Sequence, residues 1–130
     1  MAFFGIFGTL LGVILGYFLS LNAAKSQCRR IAGAKLRAAF APEIAQYDLI
    51  EEGKIYDMLV AALPKHAAAI EEFRCYVPRK HQKDYQDAWN NYHRPPDARG
   101  MIYLTCYAVG KDRRELFKKN TDAILKFAEI

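Results

Sequence analysis

From Ala2 to Ala24 the chain runs for 23 residues without an Asp, Glu, Lys or Arg. In a helix that rises ~1.5 Å per residue this stretch reaches about 34 Å, enough to cross the hydrocarbon core of a bilayer. A secretory signal peptide is the competing reading. The opening MAFFGIFG lacks the basic region such a peptide carries, and the apolar stretch is longer than usual, although Leu21-Asn22-Ala23-Ala24 offers small residues for cleavage. The expectation is a retained, membrane-spanning helix over 1–24.

The charge map gives that helix a direction. The chain carries a net charge of +5, and the surplus sits in Lys25, Arg29, Arg30, Lys35 and Arg37, ahead of the first acid at Glu43. Basic residues flanking a span are retained on the cytoplasmic side, so the N-terminus is expected outside and the remainder in the cytoplasm. The same five side chains can lie against anionic lipid headgroups, or they can serve only to set topology. From Glu43 onward, 14 basic residues balance 14 acidic ones. A nucleic-acid-binding domain concentrates positive charge on its working face, so this neutral portion argues against nucleic acid as a partner.

Within the span, Gly8, Gly12, Gly16, Ser20 and Ala24 recur at a spacing of four. This strings small residues along one inclined row, which lets a second helix approach closely in lipid. Phe3, Phe7, Leu10, Ile14 and Phe18 can point elsewhere. The row is therefore a candidate helix-helix contact with another copy or a different subunit. Glycine is also common in membrane helices that have no such contact.

After the anchor, residues 25–42 read as a basic stem built of helix formers, with Leu36 and Phe40 beginning the core and Pro42 ending the helix. Residues 43–130 read as one small, mainly helical domain; about 105 residues beyond the anchor suffice for one core. Residues 43–53 fit a helical turn or a short extended piece equally well. Ile55, Met58, Leu59 and Ala62 repeat at helical spacing up to Pro64, which is expected to start a new helix or kink the old one. The next helix runs to about Tyr76 with His66, Ile70, Phe73 and Val77 on one face. Pro78 opens another, along which His81, Tyr85, Ala88, Trp89 and Tyr92 align. HRPPDARG, from His93 to Gly100, is the clearest loop. MIYLTCYAV, over 101–109, has strand-forming composition and reads either as one short β element in need of a partner or as a buried helix. Asp112, with Glu115 three residues on, is expected to cap a final helix whose apolar face is Leu116, Phe117, Ile124, Phe127 and Ala128.

Chemistry is sparse. No P-loop, GxSxG, HExxH or dinucleotide-binding glycine pattern occurs. Of the three histidines, His81 alone has a carboxylate at helical spacing, Asp84, while His66 falls on an apolar face where a hydrogen-bonded core histidine is the commoner outcome. Cys28, Cys75 and Cys106 form no CxxC pair, which suits a reducing compartment; Cys28 sits where a juxtamembrane thiol can be acylated. Arg74 lies within helical reach of Glu71 as a surface ion pair. No catalytic residue, metal ligand, cofactor or small-molecule substrate is expected.

The strings FAPEI from Phe40, LPKHAAAIEEFR from Leu63 to Arg74 and AWNNY from Ala88 to Tyr92 resemble a pattern in small bacterial proteins, some of them membrane-anchored, to which no activity is assigned. The resemblance covers about half of the chain and implies a bacterial source and a folded helical domain; the 101–109 segment lies outside it. The resulting expectation is a bacterial inner-membrane, single-pass accessory or assembly subunit, not an enzyme, whose partners are membrane lipid and other protein chains. The alternative is a membrane-tethered enzyme or ligand sensor using His66, His81 and nearby carboxylates.

Overall fold

The computed structural model describes residues 2–93, 104, 107 and 112–129. Four α-helices account for nearly all of them: α1 (Ala2–Gln46), α2 (Glu52–Arg74), α3 (Gln82–His93) and α4 (Arg113–Leu125). Two 3-10 turns, Arg79–His81 and Lys126–Glu129, precede α3 and follow α4. No strand occurs among the described residues. The protein is thus helical, with a long apolar helix at its N-terminus.

The chain divides into two compact units, Met1–Ile31 and Ala32–Ile130. The first is helical over its described length, and its large apolar side chains, among them Leu10, Val13, Tyr17 and Leu19, are exposed. The N-terminal helix is long and apolar enough to cross a membrane, and none of its most apolar stretch is buried by the chain itself.

The second unit is a helical domain with one hydrophobic core. The last part of α1 contributes Leu36 and Phe40, α2 contributes Ile55, Leu59, Ile70 and Phe73, α3 contributes Tyr85, Trp89 and Tyr92, and α4 contributes Phe117 and Ile124. These positions recur at helical spacings of three, four, seven or eleven residues, so each helix turns one stripe inward and leaves the other side to water. Aromatic rings fill the centre: Tyr92 lies within 6.4 Å of both Phe40 and Phe117, centroid to centroid.

Pro42 and Pro64 both lie inside helices. Pro42 does not end α1, which continues to Gln46, and Pro64 lies inside α2 without starting a new helix. A proline in a helix deprives the carbonyl four residues earlier of its donor. Those carbonyls belong to Ala38 and Val60, both on exposed positions, as are the prolines themselves. Water can take the place of the missing donor, so the helices tolerate the gap.

The C-terminal expectations are met in part. α4 buries Phe117 and Ile124, and Phe127 follows in the 3-10 turn. Asp112 stands at the N-cap of α4 but makes no side-chain capping bond; its backbone carbonyl accepts from Leu116 N–H at 2.9 Å. Within the 101–109 segment only Leu104 and Tyr107 are described, and neither is extended. Leu104 has φ of 68° in a turn, its N–H donating to the His93 carbonyl at the end of α3, and Tyr107 N–H donates back to the Leu104 carbonyl. Both side chains are buried. The rest of that segment lies outside the described residues, as do residues 94–100 of the loop expected from His93, while His93 itself ends α3.

Candidate functional sites

The small-residue row is fully open. Gly8, Gly12, Gly16, Ser20 and Ala24 are all exposed, and a Cβ placed on any of the three glycines would meet nothing within 4 Å. Of the basic residues beyond it, Lys25, Arg30 and Arg37 are exposed, Arg29 is half-buried, and Lys35 forms an exposed ion pair with Glu72 at 3.3 Å. Cys28 and Cys75 are free and exposed; Cys106 lies outside the described residues.

His66 is a core residue with an unexpected neighbour. Its ring is wholly buried and stacks on Phe40, with centroids 4.0 Å apart and planes 18° from parallel. Its Nδ1 meets the Tyr92 hydroxyl at 2.8 Å, and its Nε2 lies 3.3 Å from Oε2 of Glu43. A carboxylate facing Nε2 places the proton of a neutral ring there, leaving Nδ1 to accept from Tyr92. The other Glu43 oxygen accepts from Lys65 Nζ at 2.7 Å. The Nε2 to Oε2 contact lacks the alignment of a hydrogen bond, so two buried polar atoms face each other incompletely satisfied. Glu43 and His66 are the only buried carboxylate and imidazole among the described residues.

Burial and charge compete at this cluster. Burial pushes the Glu43 carboxyl up, but the Lys65 ammonium and the imidazole outweigh it and hold the group below the ordinary carboxylate value. For His66, burial lowers the value and prevails over Glu43 and the Ala39 carbonyl, which both favour the charged ring.

Glu43 is the residue that sequence reading missed. Leu36, Phe40 and Glu43 stand at helical spacing on one face, and that register was available from the sequence. Ending the helix at Pro42 removed Glu43 from it.

His81 occupies a different place. It lines an open cleft of about 460 Å³ between α3 and the C-terminal elements, together with Asp84, Asp87, Asn91, Lys126 and the side of Phe127. His66 is absent from this cleft and has no exposed surface, so the structure does not bring the two histidines into one site. Among the described residues no three His, Cys, Asp or Glu side chains converge as a metal-binding group. Arg74 pairs with Glu71 through two hydrogen bonds, of 2.8 and 3.1 Å, as the surface pair its spacing suggested. Tyr85, Trp89 and Tyr92 are buried in the core. No family model, no curated protein and no solved structure matches this chain.

Proposed function

We propose that this chain is a non-enzymatic, single-pass accessory or assembly subunit of a bacterial inner membrane, with its N-terminus outside and its helical domain in the cytoplasm. In this reading the glycine row packs against another transmembrane helix, and the neutral domain associates with other protein chains. The carrying observation is that the apolar side chains of the first part of α1, up to Leu21, and its glycine row are uncovered by the rest of the chain. An apolar surface of that length needs lipid or another helix around it. The basic residues Lys25, Arg29, Arg30 and Arg37 support the orientation, because their charge holds that flank on the cytoplasmic side.

Gly12→Ile tests the contact. A branched side chain in the row holds a partner backbone away, so cross-linking of the full-length protein in membranes is expected to fall while the helical signal and melting of the domain stay unchanged. Undiminished cross-linking would remove the row from the account. Gentle extraction and identification of co-purifying chains would show whether the partner is another copy.

A second reading, a membrane-tethered ligand sensor or enzyme, is favoured by the His81 cleft alone. His81, Asp84 and Lys126 bring three kinds of polar group to one concave surface. A stoichiometric metal in the purified protein, lost on His81→Ala, would put this reading in place of the first.

A further inference from the structure

The Glu43, His66 and Tyr92 side chains come from three helices, α1, α2 and α3, and meet at one buried point. We infer that this cluster is a pH-sensitive clasp: it holds residues 32–46 of α1 against α2 and α3 while His66 is neutral, and loosens when the imidazole takes up a proton. The inference adds regulation to the domain of the proposed subunit, and it stands whether or not α1 spans a membrane.

The geometry carries it. A neutral imidazole is an aromatic ring that can stack on Phe40 and accept from Tyr92 while its Nε2 faces Glu43 at 3.3 Å, and it is placed to do so here. The charged ring must reverse the Tyr92 bond, turning the hydroxyl from donor to acceptor, between two side chains that have no exposed surface. Its compensations are the Glu43 carboxylate, the Ala39 carbonyl and the face of Phe40. Glu43 is already committed to Lys65 through its other oxygen, and the Lys65 ammonium repels a second positive charge nearby. These are the charged and titratable groups that face His66 among the described residues: Glu43 from α1, Lys65 from α2 and Tyr92 from α3.

The direction of the effect follows from the titration of the two groups. In the folded protein His66 holds its proton less tightly than the ordinary value of 6.5, so the unfolded or opened state binds more protons just below that pH. Stability is therefore full above about 6.5 and falls as the pH drops from there toward the folded value. Glu43, also lowered in the fold, contributes stability above its ordinary 4.5 that is lost only further into acid. Both groups make acid the opening condition, and His66 responds first. The segment it frees includes Leu36 and Phe40, whose apolar side chains would then be open to water or to a partner.

The test uses the full-length chain in detergent micelles, with histidine rings isotopically labelled and His81→Gln and His93→Gln used to assign resonances. The His66 ring is expected to titrate below 6.5 and to move to still lower pH in Glu43→Gln, where the carboxylate that favours its charge is gone. Amide exchange over residues 36–46, corrected for its intrinsic pH dependence, is expected to speed severalfold from about pH 7.5 to about pH 5.5. In His66→Gln that pH dependence should disappear; if the variant does not fold, the Glu43→Gln titration decides. A His66 midpoint at or above 6.5, a midpoint indifferent to Glu43→Gln, or exchange over 36–46 that is equal at both pH values would overturn the clasp. A chain that proved freely soluble would count against the proposed anchor and leave these readings intact.

Discussion

Tyr85 donates its hydroxyl proton to the Ile70 carbonyl at 2.7 Å, inside the core and between α3 and α2. Burial pushes the phenol far above the ordinary tyrosine value, so it stays a neutral donor throughout the physiological range. Tyr85→Phe keeps the ring and removes one buried bond, and is expected to cost about 1 kcal/mol in denaturant unfolding, with the helical content unchanged. An unchanged midpoint would mean the hydroxyl contributes nothing net. The residues that sequence placed well are those of this kind: Leu36, Phe40, Tyr85, Trp89 and Tyr92 all lie on the core faces their spacing defined. The place of Glu43 on the face of Leu36 and Phe40 is legible once α1 runs through Pro42, but its pairing with His66 is not, because it joins residues 23 apart in sequence through a packing that no local pattern records. His66 itself was legible as a core histidine, because an imidazole on an apolar helical face is most often a hydrogen-bonded one.

At the ends and close approaches of the helices, local chemistry decides how the elements fit together. The turn after α1 leaves the Tyr47 and Ile50 carbonyls to be satisfied, and Arg114 of α4 donates one guanidinium N–H to each. Neighbouring Arg113 donates to the Glu52 carbonyl at 3.0 Å. Two arginines thus fasten the start of α4 to the α1–α2 connection, a link between distant parts of the sequence that composition could not show. Gly33 is the one described glycine at which α1 meets another segment closely: an added Cβ would stand 3.1 Å from the Ala128 carbonyl oxygen and 3.4 Å from its Cβ. Gly33→Val is expected to push the C-terminal 3-10 turn away and to destabilise the domain by about 1–3 kcal/mol, read as a lowered unfolding midpoint. If instead the midpoint rises, the gain in helix propensity over glycine outweighs the crowding. The capping-box expectation at Asp112 failed for a related reason, since backbone bonding at the start of α4 proceeds without the carboxylate.

At the scale of the whole molecule, the division into an apolar N-terminal helix and a helical domain was legible because it depends on bulk properties: a charge-free stretch, a block of five basic residues, and helical periodicity thereafter. What was not legible is long-range. The segment over 101–109 has the composition of a strand, yet its two described residues sit in turns, with Leu104 in the left-handed region and Tyr107 held by the Asn120 amide at 2.9 Å. Tertiary contacts of that sort set the conformation at these two positions, and they are invisible in a single segment. The proposed subunit joins both units: the domain folds on its own core, and the first part of α1 supplies an apolar surface that the chain leaves uncovered. Its central claim is that this surface lies within a bilayer. Alkaline carbonate extraction of membranes from cells expressing the full-length chain tests that most directly, because it strips peripherally bound proteins and leaves spanning ones in place. The chain is expected in the membrane pellet; release into the supernatant would contradict a membrane-spanning α1.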